Sequence, residues 1–73
     1  MHTLNDLVEC HSGFEYAERP KALHWQGMRL EIRQILNHWR EPGLKCFRVV
    51  TEDERVFDLS YHEDQDSWTI EPL

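Results

Sequence analysis

The chain has 73 residues and a formal net charge of −6 at pH 7. A chain this short forms one domain, residues 1–73, and its single core must use nearly every large apolar side chain. Its size argues against an enzyme with a deep cleft, and its acidic total argues against non-specific binding to nucleic-acid phosphates. No apolar run approaches the roughly 20 residues that cross a bilayer, so we expect no membrane association.

The N-terminus and the cysteines bear on the cellular compartment. Residues 1–10 contain no basic region followed by an apolar core, so no signal peptide is expected. The two cysteines, Cys10 and Cys46, are fewer than a small secreted domain usually carries. We therefore expect a cytoplasmic protein with reduced thiols, and a Cys10–Cys46 disulfide is the alternative.

Two strands are predicted in the N-terminal part. Alternating side chains over residues 4–11 predict the first strand, and the polar residues 15–20 predict a loop or an edge crossing. Residues 21–26 alternate again and predict the second strand. The Gln26-Gly27 pair then fits a two-residue hairpin turn, because glycine takes positive φ freely.

The segment that follows, residues 28–39, has an ambiguous pattern. Leu30 and Ile32 alternate with charged residues as in a strand, whereas five large side chains fall on one helical face. These five are Met28, Ile32, Ile35, Leu36 and Trp39. We favour a strand, because the preceding segment alternates and no capping residue precedes the segment. A β-bulge near residues 34–36 then keeps Ile35 and Leu36 on the inner face.

Three further strands are predicted at residues 45–51, 55–61 and 67–71, separated by charged turns. Turns spaced by about 8–12 residues are typical of small sandwiches and barrels. We predict an all-β fold, a small antiparallel meander of five or six strands that forms an SH3-like barrel or half-barrel. The alternative is an α+β fold with a helix at 28–39.

Charge is unevenly distributed along the chain. Residues 19–51 hold seven Lys and Arg against two acidic residues, whereas residues 52–73 hold eight acidic residues and only Arg55. We interpret this as pairing between strands of the two parts, which sets opposite charges against each other.

Histidine and cysteine raise the hypothesis of a zinc site that uses Cys10, His11, Cys46 and His62. No paired-ligand motif such as CxxC or HExxH occurs, and neighbouring residues 10 and 11 point to opposite sides of a strand. No serine lies in a nucleophile elbow, and no glycine-rich loop follows a strand. We therefore expect no metal, no cofactor and no catalytic residue.

Basic and aromatic side chains in the middle of the chain form the candidate binding surface. Its members are His24, Trp25, Arg29, Arg33, Arg40, Lys45 and Arg48. Trp39 and Trp68 are instead expected in the core. The leading hypothesis is a non-catalytic module, a monomer or weak homodimer, that binds another protein by strand addition or patch docking. The alternative is a module that stacks the bases of single-stranded nucleic acid on these aromatic rings.

The order of several motifs resembles a family of small bacterial domains of unknown function. The motifs are Glu18-Arg19-Pro20, Trp25-Gln26-Gly27, residues 35–42 with the sequence ILNHWREP, Phe47-Arg48-Val49, residues 56–59 and Trp68. A related domain lies at the C-terminal end of some Y-family polymerase-like mutagenesis proteins. The resemblance spans residues 7–71 and implies an appended or stand-alone β-domain, associated with DNA-damage processing.

This chain departs from the family pattern at two places. Asn37-His38 stands where an Asp-Arg pair is usual, which removes a charge pair beside Trp39. Asp53-Glu54 stands where a glycine-containing turn is common, which implies a different hairpin geometry. The resemblance supplies no catalytic residues.

Overall fold

The computed structural model describes residues 7–10 and 19–73. Each strand pairs with the next in an antiparallel meander of six, which curls into a half-barrel. The strands are β1 (Val8–Cys10), β2 (Pro20–Trp25), β3 (Met28–Glu41), β4 (Leu44–Thr51), β5 (Val56–His62) and β6 (Ser67–Pro72). The predicted all-β fold is confirmed, and the alternative helix at 28–39 is wrong.

The predicted strands agree with this architecture wherever the structure describes them. Of the first predicted strand, 4–11, the structure describes the part that forms β1, and most of the loop predicted at 15–20 lies outside the described residues. No helix in the described ranges is long and apolar enough to cross a membrane.

Tight turns connect the first hairpins. Gln26 and Gly27 have φ values of 50° and 80°, so both central residues of the β2–β3 turn are left-handed, as a type I′ hairpin turn requires. Pro42 precedes Gly43, which has φ 76° and ends β3 in a second two-residue turn. The predicted Gln26-Gly27 turn is confirmed.

The hydrophobic core lies on the inner face of the curled sheet and draws on all six strands. Its buried members are Val8, Leu23, Leu30, Phe47, Val49, Phe57, Leu59 and Trp68. The register sets Phe47 opposite Leu59 and Val49 opposite Phe57, because alternate residues of neighbouring strands share one face. The core is therefore built by the alternation that the sequence shows.

Phe57 connects the two halves of the meander. Its ring meets that of Trp25 edge to face, with centroids 5.7 Å apart. Because β2 and β5 are not neighbours in the sheet, this contact crosses the interior of the half-barrel. Only 1% of Phe57 is exposed.

Two bulges interrupt the pairing of β3 with β4. Ile32 pairs with Thr51 and Gln34 with Val50, so Arg33 is an extra residue; the same happens at Leu36, between Ile35 and Asn37. The predicted bulge near 34–36 is confirmed, with a second one beside it. The predicted inner position of Leu36 is wrong, because this bulge residue is 48% exposed.

The bulges also decide the position of Trp39. His38 lies opposite Phe47 of the core, so Trp39 points to the outer face, where it lies opposite Cys46. The indole N–H of Trp39 donates to the Glu41 carboxylate at 3.1 Å. The prediction that Trp39 belongs to the core is wrong, whereas that for Trp68, which is 6% exposed, is confirmed.

Cys10 and Cys46 lie on opposite faces of the sheet. Cys10 packs against the inner core, whereas Cys46 is buried on the outer face, where it accepts a hydrogen bond from Ser60 at 3.8 Å. Neither cysteine forms a disulfide. The alternative of a Cys10–Cys46 bridge is therefore wrong.

Candidate functional site

The sheet distributes the seven predicted binding residues over two faces. His24 pairs with Arg29 on the outer face, and Arg48 lies there opposite Asp58. Arg40 and Lys45 pair on the inner face, in register with Tyr61. Arg33 lines a groove on that same side, described below, and Trp25 packs its ring against Phe57. The seven residues therefore do not form one continuous surface.

The outer-face group is centred on Glu9. Its carboxylate accepts two hydrogen bonds from Arg29, at 2.8 and 2.9 Å, and lies 2.8 Å from Nε2 of His24. Arg29 also donates to Glu31 at 3.0 Å. The Arg29 hydrogen bonds chiefly, opposed by partial burial and assisted by His24, lower the pKa of Glu9 to about 2. This cluster fastens β1 to β2 and β3.

The Glu9 cluster predicts a pH dependence of stability. The pKa of Glu9 is about 2 in the folded chain and 4.5 as its ordinary value, so its contribution is complete above pH 4.5. That contribution is lost as the pH falls from 4.5 through 2, because the carboxylate then takes up a proton. We expect the Glu9→Gln variant to lose less stability than the wild type over this range.

Urea unfolding at a series of pH values from neutral to acidic measures this difference. Glu31→Gln is the matched control, because Glu31 also contacts Arg29 but is more exposed. Parallel pH profiles for the wild type and the Glu9→Gln variant would contradict the assignment.

Ion pairs join the basic middle of the chain to its acidic C-terminal part. Arg48 donates two hydrogen bonds to Asp58, at 2.8 and 3.0 Å, which raises the pKa of Arg48. Arg40 reaches both carboxylate oxygens of Glu63 at 3.2 Å, and Arg33 reaches Glu54 at 3.4 Å. The interpretation that the two oppositely charged parts face each other is confirmed.

A basic groove of about 590 Å³ opens beside the bulged part of β3. Its lining consists of Arg19, Pro20, Ile32, Arg33, Gln34, Ile35, His38 and Phe47. Ile32, Ile35 and Phe47 provide an apolar floor that continues the inner core. Arg19, Arg33 and His38 surround that floor with hydrogen-bond donors. Such a lining suits a partner with apolar side chains and acceptor groups, above all carboxylates.

The groove lies beside the first residues of β2. β2 pairs with β3 from Ala22–Glu31 to Trp25–Met28, but β3 continues to Glu41 along β4. Residues 34–41 therefore have a strand on one side only, within the described part of the chain; we call them the open edge of β3. Arg19 and Pro20, at the start of β2, line the groove at the near end of this edge.

Arg33 is the one lining residue that also belongs to the predicted surface; the other seven are absent from it, among them the polar residues Arg19, Gln34 and His38. The sequence does carry one signal for them, since the strand predicted at 21–26 is much shorter than its partner at 28–39. A longer strand must extend past a shorter neighbour, and the overhang leaves backbone groups without a strand partner.

The metal hypothesis concerned Cys10, His11, Cys46 and His62. Among the described residues, no group of three or more His, Cys, Asp or Glu side chains is arranged to hold a metal ion. His11 lies outside those residues. The imidazole of His62 is instead 2.9 Å from the hydroxyl of Thr69.

No known protein family, curated protein or solved structure matches this chain. The resemblance to a bacterial family with mutagenesis-protein relatives therefore stays a prediction, and the groove has to be interpreted from its own geometry.

Proposed function

We propose that this protein is a non-catalytic interaction module that binds an extended segment of another protein as an added strand on the open edge of β3. The observation that carries the proposal is the overhang of β3 beyond β2, directly beside the basic groove. The module is proposed to act in the cytoplasm, in keeping with its two unbridged cysteines.

A strand edge that has no neighbouring strand within residues 7–10 and 19–73 supplies the affinity in this mode of binding. Alternate residues of an edge strand direct N–H and C=O groups away from the sheet, and an extended peptide can pair with them. A peptide on the open edge would occupy the position that a longer β2 would fill. The sheet would then gain a strand without any rearrangement of its core.

The groove supplies the specificity. Alternate side chains of an added strand point to opposite faces, so every second side chain of the partner enters the groove. There it meets Ile35 and Phe47 at the floor, with Arg33 and His38 beside them. This combination favours an apolar side chain flanked by hydrogen-bond acceptors.

Single-stranded nucleic acid is less suited to this face. Base stacking needs exposed aromatic rings, but Trp25 is packed against Phe57, and Trp68 lies between Phe47 and Tyr61. Trp39 stands on the outer face, away from the groove. The net charge of −6 also opposes a polyanion.

A binding role fits the chemistry of the groove better than catalysis does. Its eight lining residues include no carboxylate, hydroxyl or thiol side chain. Nucleophilic and acid–base mechanisms normally place a base within hydrogen-bond reach of a second functional group.

The test uses a phage-displayed library of random decapeptides, selected against the full chain. Enriched peptides are synthesised and titrated into isotopically labelled protein, and backbone amide shifts are followed by NMR. We expect the largest shifts in the open edge of β3 and in the groove. The matched controls are two versions of the same peptide, N-methylated at the odd or at the even positions. Both keep the side chains but lose half of the backbone donors. One of the two should no longer bind.

Three results would overturn the proposal. They are the absence of any enriched peptide, shifts confined to the outer face around Trp39, and undiminished binding of both N-methylated peptides. A thymidine dodecamer at low salt tests the other class of ligand, because phosphate contacts are strongest there. Shifts in the groove with the oligonucleotide and none with peptides would favour the nucleic-acid alternative.

A further inference from the structure

We infer that the partner segment carries an acidic side chain, and that this side chain replaces Glu54 on Arg33. The inference rests on the proposed strand addition and specifies the chemistry of the partner at the groove. It follows from the position of Arg33, from the geometry of its ion pair and from the turn that holds Glu54.

Arg33 is placed at the groove by a bulge. As the extra residue between Ile32 and Gln34, it stands at the near end of the open edge and lines the groove. An added strand that follows the edge therefore passes its guanidinium group. Arginine binds carboxylates through two parallel hydrogen bonds where the geometry allows, which adds direction as well as attraction.

Glu54, the present partner of Arg33, uses only part of the hydrogen-bonding capacity of the guanidinium group. One nitrogen of Arg33 donates to one oxygen of Glu54 at 3.4 Å, and the two side chains are 46% and 75% exposed. On the outer face, by contrast, Arg48 donates twice to Asp58, at 2.8 and 3.0 Å. Exposed ion pairs of the first kind are weak, so an incoming carboxylate with better geometry can take over the guanidinium.

Glu54 is held near Arg33 by its turn. Its backbone has φ 69°, a left-handed conformation that is unfavourable for residues other than glycine. Its N–H donates to the carbonyl of Thr51 at 2.9 Å. Thr51, itself fully buried, also binds the N–H of Arg55 and the carboxylate of Asp53. The turn thus fixes a carboxylate beside the groove at a position where glycine would be easier to accommodate.

Glu54 therefore acts as an internal competitor for the site. Glu54 neutralises Arg33 while no partner is bound. It lowers the affinity for acidic partners, because the Arg33–Glu54 ion pair must first be separated. Removal of its charge should strengthen binding, whereas removal of the charge of Arg33 should weaken it. A surface that merely tolerates a peptide would show neither effect.

The experiment measures dissociation constants for the enriched decapeptides by fluorescence anisotropy with four proteins: the wild type, Glu54→Gln, Arg33→Gln and Arg48→Gln. We expect Glu54→Gln to tighten binding about threefold, the worth of an exposed ion pair. Arg33→Gln should weaken it about tenfold, because charge-assisted hydrogen bonds are lost. Arg48→Gln makes the same charge change on the outer face and should have no effect.

The peptides themselves provide the second arm. Each Glu or Asp of the peptide is replaced in turn by Gln or Asn. At one position the replacement should weaken binding to the wild type and abolish the gain in affinity from Glu54→Gln. The inference is overturned if enriched peptides lack acidic residues, or if Glu54→Gln and Arg33→Gln leave affinity unchanged while the peptide still binds. Absence of peptide binding in the wild type would instead remove the proposed function.

Discussion

We expect Phe57→Ala to lower the free energy of unfolding by about 3–5 kcal/mol, because it empties the centre of the core. Phe57 is fully buried and carries the contact with Trp25 that closes the half-barrel across its interior. A chain of 73 residues has roughly 4–11 kcal/mol of stability in total. The variant should therefore lose a large share of this stability, and all of it only if the wild type lies at the lower end of that range.

Urea denaturation followed by far-UV circular dichroism measures this loss. Leu36→Ala is the matched control, since it also truncates a large apolar side chain of the sheet, but at an exposed bulge. We expect that variant to differ from the wild type by no more than about 0.5 kcal/mol. Equal losses in the two variants would contradict the described positions of the two side chains.

Substitution of Trp68 should destabilise the protein far more than substitution of Trp39. Trp68 is packed between Phe47 and Tyr61, with ring centroids 6.1 and 5.1 Å away, so Trp68→Ala should cost about 3–5 kcal/mol. Trp39 is half-buried on the outer face and tied to Glu41, so Trp39→Ala should cost about 1 kcal/mol.

The same denaturation experiment compares these variants under identical conditions. Because both remove an indole group, the comparison cancels the effect of residue size. A loss for Trp39→Ala as large as that for Trp68→Ala would show that Trp39 does belong to the core. In that case the described register of β3 with β4 would have to be revised.

Most of the fold is predictable from alternation and turn chemistry. Phe57, Leu59 and Tyr61 alternate with smaller or polar residues, and the structure places the three on the inner face of β5. Gln26-Gly27 marks its hairpin because the type I′ turn needs positive φ at both positions. These signals are local, so they can be interpreted without knowing which strands are neighbours.

The pattern of β3 misleads because its bulges change the period. Each bulge inserts one residue, so Ile32, Ile35 and His38 reach the inner face at intervals of three instead of two. An interval of three approaches the helical period, which explains why residues 28–39 also fit a helix. The position of Leu36 and Trp39 follows from bulges whose register depends on β4, and β3 alone does not contain that information.

The groove is still less accessible from sequence. The sequence predicts Arg33 as a binding residue, but its proximity to Arg19 and His38 depends on where β2 begins and on both bulges. The seven candidates are all basic or aromatic, but they lie on both faces of the sheet, because residue type does not specify the face on which a side chain lies. Only the tertiary arrangement of strands of unequal length creates the open edge.

The open edge also bears on whether copies of this chain can pair with one another. An uncovered, flat strand edge is a template on which identical chains pair and aggregate. Here bulges at Arg33 and Leu36 bend the edge, and Arg40 and Glu41 place charges at its far end. Straight edge-to-edge pairing of two molecules is thereby disfavoured, while a flexible segment can follow the bend. Bulges of this kind oppose the pairing of identical sheet edges, and they are the same irregularity that disguises β3 in the sequence.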